Sequence, residues 1–109
     1  MNVDRIRGYL YKSEFGENKM IKLHFFDYGC GCLNIEKELG IMEDTDEFLI
    51  KKIPGLRLEG TDNMCDLEDN QIFWFSAEDE VKCVDRIRDI IKENISMQSR
   101  MKYTVEISY

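Results

Sequence analysis

Hydrophobic and polar positions alternate in several short stretches of this chain. Over residues 3–12, Ile6, Gly8 and Leu10 fall on one face and Arg5, Arg7, Tyr9 and Tyr11 on the other, the period of a strand. Residues 13–18 are rich in turn formers and predict a hairpin onto a second strand over 19–28. There Ile21, Leu23 and Phe25 alternate with Lys22, His24 and Phe26, before Gly29 and Gly31 break the strand. Phe48 to Ile53 reads as a third strand, turned by the only proline, Pro54, and by Gly55; Leu56-Arg57-Leu58 continues it as an edge segment. Gln71 to Phe75 has strong β preference and predicts a fourth strand. Met101, Tyr103, Val105, Ile107 and Tyr109 then alternate with Lys102, Thr104, Glu106 and Ser108, which predicts a last strand with one face nearer water.

A period of three to four replaces this alternation in two places. Asn34 is placed to cap a short helix through Glu36-Lys37-Glu38-Leu39, and Gly40 to end it. The longer helix is predicted from Ser76, with Asp79 three residues on as in a capping box, and runs from about Ala77 to Asn94. Val81, Val84, Ile87, Ile91 and Ile95 make its apolar stripe. The acidic stretches Gly40 to Asp46 and Gly60 to Asn70 are read as loops, the second holding one irregular helical turn. These elements predict an α+β fold: one domain over residues 1–109, with a mainly antiparallel sheet of four to five strands, one long helix and one short helix.

The composition fits that reading. The chain has 109 residues, 43% of them hydrophobic and 34% charged, with a net charge of −7. No apolar run approaches the roughly 20 residues that cross a membrane. Met1 to Arg5 lacks the apolar stretch of a secretory signal, so the expectation is a cytoplasmic protein whose four cysteines stay reduced. The charge is uneven: residues 36–80 hold fourteen acidic and four basic residues, a local balance of −10. That disfavours a nucleic-acid backbone or an anionic membrane as partner and favours a basic protein surface or a cation. The bland alternative is that acidic loops keep the domain in solution.

Candidate chemistry is sparse. Cys30-Gly31-Cys32, with Cys65, Cys83 and His24, is the one ligand-type cluster, but zinc pairs normally leave two residues between cysteines and no second pair follows. His24, the only histidine, sits in a strand with no nucleophile motif nearby. The acid-x-lysine steps at Glu17 and Glu80 fall in a turn and a helix start rather than in a nuclease strand context. Asp62, Asp66, Glu68 and Asp69 lack the glycine of a calcium loop, since Leu67 stands at that place. No phosphate loop and no dinucleotide fingerprint is present. The expectation is therefore a protein that is not an enzyme and carries no cofactor and no metal. Trp74 alternates away from Phe73 and Phe75, which makes it a candidate contact anchor.

Short length, strong acidity, an α+β pattern and no catalytic set together resemble small bacterial toxin-immunity proteins. The single alanine, Ala77, and the many Ile, Lys, Asn and Glu residues are compatible with a low-GC bacterial coding region. The resemblance implies a non-catalytic inhibitor that covers the basic active-site cleft of a nuclease-type toxin. Glu43, Asp44, Asp46 and Glu47 form one expected contact group and Asp62, Asp66, Glu68 and Asp69 the other, with Trp74 and Tyr11 as anchors. The alternatives are a homo-oligomeric or adaptor module and, behind it, a small metal or redox protein.

Overall fold

The computed structural model describes residues 19–27, 33–65 and 69–108. In chain order they form β1 (Met20–Asp27), α1 (Ile35–Leu39), α2 (Thr45–Lys52), β2 (Arg57–Cys65), β3 (Asp69–Ser76), α3 (Glu80–Asn94) and β4 (Lys102–Ser108). The four strands make one antiparallel sheet in the order β2-β3-β1-β4. β3 lies between β1 and β2, and β1 lies between β3 and β4. Two β-α-β units are thus interleaved, the split arrangement in which each crossover spans one intervening strand. The α+β class and the antiparallel sheet agree with the sequence reading. The expected strand over 3–12 and its turn lie outside the described residues; β1 takes its two neighbours from β3 and β4.

One face of the sheet carries the core. Ile21, Leu23 and Phe25 of β1, Phe73 and Phe75 of β3 and Val105 of β4 are buried against Ile35, Leu39, Phe48, Leu49 and the inner face of α3. Phe73 stacks on Phe75 with centroids 6.1 Å apart and meets Phe25 edge-on at the same distance. The other face presents rows set by the register: Asp62, Ile72, His24 and Thr104 in one, Gly60, Trp74, Lys22 and Glu106 in the next. On β4, Lys102, Thr104 and Glu106 are exposed, as the alternation there anticipated.

Three elements differ from expectation. The stretch Phe48 to Lys52 is helix, not strand, and Ile53 caps its C-terminal end. Phe48 and Leu49 are both buried while Ile50 is 36% exposed, a demand only a helix meets, because adjacent strand residues face opposite ways. Asp46 and Glu47 in the first turn and Lys51 and Lys52 in the last complement the helix dipole. Pro54 then stops the helix, and Gly55 at φ 86° with Leu56 N–H donating to Ile53 O (3.2 Å) closes a tight turn that needs glycine.

The second acidic stretch is paired, not looped: β2 and β3 form a hairpin through Cys65↔Asp69, with a bulge between Leu58 and Gly60. Its outer part is polar because it runs past the core, with Thr61, Asp62 and Asn63 exposed, so side-chain pattern carries no strand signal there.

The long helix starts later than expected. Ser76 remains in the ladder opposite Arg57, and Asp79 caps instead, accepting from Lys82 N–H at 3.1 Å. Val81 is consequently 64% exposed and Cys83 takes its place beside Val84, Ile87, Ile90 and Ile91. α1 is as anticipated: Asn34 accepts from Lys37 N–H at 3.1 Å, and Gly40 ends the helix at φ 68°.

The stripe generates a paired test. Ile91→Ala, at a position with no exposure, should lose about 2–5 kcal/mol by denaturant unfolding, and Val84→Ala about 1–3 kcal/mol. Val81→Ala should stay within about 0.5 kcal/mol. Equal losses at positions 81 and 91 would refute this helix face.

Candidate functional site

The acidic corner between α1 and α2 is built by one carboxylate. Asp44 stands at the N-cap of α2 but makes no side-chain cap bond. Glu36, reaching from α1, takes that role: its Oε2 accepts the Thr45 amide at 3.0 Å and the Thr45 hydroxyl at 2.5 Å. Thr45 has no solvent exposure, so these bonds are shielded from competing water and fix the two helices against each other. In the α1–α2 turn Ile41 packs against the core, while Met42 and Asp44 are exposed.

The eight acids named from sequence divide by this geometry. Glu43 is paired with Lys51 Nζ at 2.6 Å. Its carboxyl is held below the usual glutamate value by the hydrogen bond from Lys51, partly offset by desolvation. Asp44, Asp46 and Glu47 surround the start of α2, and no ion pair or side-chain hydrogen bond engages them among the described residues. Beside them Met42 is 99% exposed.

Asp62 lies on the far side of the sheet, in the row of Ile72 and His24, so it does not join the corner. Asp69 is only 8% exposed, and its Oδ2 accepts Leu33 N–H at 3.1 Å, so it ties the chain after β1 to the start of β3. Asp66, Glu68 and Tyr11 lie outside the described residues. Trp74 is partly buried on the face away from the helices, with Lys22 Nζ 5.6 Å from its ring centroid.

Of the ligand-type residues, His24 and Cys83 are the two whose side chains are described. His24 Nε2 lies 2.5 Å from Asn70 Oδ1 and the ring packs on Phe26 at 5.1 Å. Among the described residues no three His, Cys, Asp or Glu side chains gather around a point that could hold a metal ion. Cys83 is a free thiol, 7% exposed, and burial together with Asp79 and Glu80 pushes its pKa up. Cys30 and Cys32 lie outside the described residues. Also among the described residues, no helix is long and apolar enough to cross a membrane.

Sequence reasoning passed over two features. One is Met42: it and Ile41 both stand between the helix-ending Gly40 and the acid run, but Ile41 packs against the core and Met42 is left outside it. The second is an open cleft of about 520 Å³ between the N-terminal end of α1 and the inner side of the β2–β3 hairpin. It arises from pairing at the hairpin end that local pattern does not reveal. Comparison with family models, with curated proteins and with solved structures finds no match to this chain.

Two measurements check the electrostatics. In a carbon-detected NMR titration Glu43 should lose its proton below the ordinary glutamate range, and Lys51→Met should return it there. Because the folded pKa is lowered, the pair stabilises the fold above the unfolded value, and that contribution disappears as pH falls through the lowered one. Cys83 should react with a thiol reagent at pH 8 far more slowly in the folded protein than after denaturation; equal rates would contradict its burial and raised pKa.

Proposed function

We propose that this chain is a non-catalytic, protein-binding inhibitor that docks on a basic partner through the α1–α2 corner. The form it fits best is a bacterial, cytoplasmic immunity protein that covers the basic cleft of a nuclease-type toxin. The observation that carries this reading is Met42, 99% exposed beside the carboxylates of Asp44, Asp46 and Glu47, which have no ion pair among the described residues. Helix-dipole stabilisation accounts for acids in the first turn of α2. It gives no reason for a fully exposed methionine among them. An exposed methionine with a charged rim has the make-up of a contact surface, since methionine is enriched at interface centres and charge at their rims.

The division of labour follows from the physics. The carboxylates steer encounter with a cationic cleft, and occupying that cleft needs no bond to be made or broken. Tight binding needs a desolvated anchor as well, and Met42 supplies one. Trp74, held under Lys22 on the other side of the sheet, is not part of this corner. A second reading, a self-associating or adaptor module, rests on β4, beyond which no further strand lies among the described residues.

The test is kinetic. With a partner recovered by pull-down, the triple variant D44K/D46K/E47K should associate at least about tenfold more slowly at low salt and lose most of its salt dependence. Met42→Ala should act mainly on dissociation. Unchanged association in the triple variant would eliminate the acidic corner. A concentration-dependent dimer with no other partner would favour the self-associating module.

A further inference from the structure

We propose that the free edge of β4 is a homodimer surface, on which a second copy of this chain lays its own β4 antiparallel about a two-fold axis at Thr104. The proposal deepens the self-association reading and uses no residue of the α1–α2 corner, so it stands or falls apart from the docking reading. β4 ends the sheet among the described residues, and alternate residues of an edge strand turn their N–H and C=O away from their neighbour. Those groups are a template for one more antiparallel strand, and an isologous pair closes after two copies.

The side chains select a second copy as the strand that fits. With the axis at Thr104, Lys102 of each copy faces Glu106 of the other, and the two threonines face each other between them. Lys102, Thr104 and Glu106 are all exposed on the outer face. Opposite charges and threonine pairs directly across a ladder are favourable, and like charges there are destabilising. Within one copy neither Lys102 nor Glu106 has an ion pair among the described residues. Lys22, the β1 neighbour of Glu106, stands over Trp74 instead, 5.6 Å from the ring centroid, and the neighbour of Lys102 is the uncharged Phe26. On the inner face Tyr103 of one copy meets Val105 of the other, an aromatic against a β-branched side chain.

Other registers lose this match. An axis at Val105 sets Lys102 against Ser108 and Glu106 against Thr104. An axis at Tyr103 moves Glu106 past the start of the strand, opposite Arg100, whose guanidinium turns to Asp27 at 3.9 Å. One backbone group of β4 already has a side-chain partner: the Val105 carbonyl accepts Arg88 Nη2 at 2.8 Å. A carbonyl oxygen has two lone pairs, so a ladder bond remains open to it. The contact is small. Five paired residues a side bury less than the roughly 1,000 Å² of a stable interface, which predicts a reversible dimer with Kd of about 10–100 µM.

The experiment needs no other protein. Sedimentation equilibrium of the full-length chain up to about 1 mM should give a monomer–dimer equilibrium in that range, with concentration-dependent amide shifts centred on residues 102–106. Lys102→Glu and Glu106→Lys should each weaken the dimer about tenfold, because each sets like charges opposite. Glu106→Lys makes the chain less acidic overall, so weakening there does not come from net charge. An equimolar mixture of the two variants should pair to within about threefold of the unaltered chain, since every copy then meets opposite charge in both pairs. A chain that stays monomeric, a dimer indifferent to both substitutions, or a mixture no tighter than its components would each overturn the β4 edge. Dimerisation lost in D44K/D46K/E47K but kept in Lys102→Glu would place self-association at the corner and overturn it too. Slowed association of that triple variant with a basic partner, in a chain that stays monomeric, would keep the docking reading alone.

Discussion

Much of this small structure depends on β1 being flanked on both sides. Its inner residues Ile21, Leu23 and Phe25 have no solvent exposure and lie under both helical crossovers, one joining β1 to β2 and the other β3 to β4. Each crossover must span one strand and return, so neither unit can bury its helices without the other's strand beside it. α3 meets this demand with a stripe of Val84, Ile87, Ile90 and Ile91. Arg88 Nη2 adds a fixed point by donating to the Val105 carbonyl at 2.8 Å. The interleaving makes the sheet, the long helix and the two short helices one cooperative unit, because removing any one exposes the inner face of β1.

Within that frame the first crossover is the informative one. A single long helix would cover the same strands, but the chain uses two short ones joined by a turn. α1 has five residues and α2 eight, lengths that are unstable as isolated helices in water. Tertiary contacts hold them: Leu39 and Leu49 in the core, and the Glu36 carboxylate across the joint to Thr45. The joint therefore needs neither Asp44 nor Met42 for its own stability. Side chains released from structural work, and held out by a rigid joint, are what a contact surface requires.

The sequence was legible where local pattern and tertiary environment agree. β1, β3 and β4 each have one inner and one outer face, so alternation located them within a residue or two. The caps of α1 announced themselves as Asn34 and Gly40. α2 was misread because six apolar and basic residues, Phe48 to Ile53, are too few to distinguish period two from period 3.6. The opposite charges at its two ends were the better signal. The outer hairpin had no signal to offer, since Thr61 to Asn63 are exposed and held mainly by backbone pairing. At the candidate site, acids 43–47 were recognisable as a group. The buried place of Asp69 was not, because it depends on β1 and β3 ending side by side at Asp27↔Asp69, 42 residues apart in the chain.

The central claim is that the α1–α2 corner is the surface this protein presents to a basic partner. Cross-saturation NMR on the perdeuterated chain bound to that partner tests it most directly, because saturation passes only to amides within a few ångströms of the other protein. The account predicts attenuation over residues 42–47, strongest at Met42. Attenuation confined to the rows of Trp74 and Asp62 on the opposite side of the sheet would contradict it.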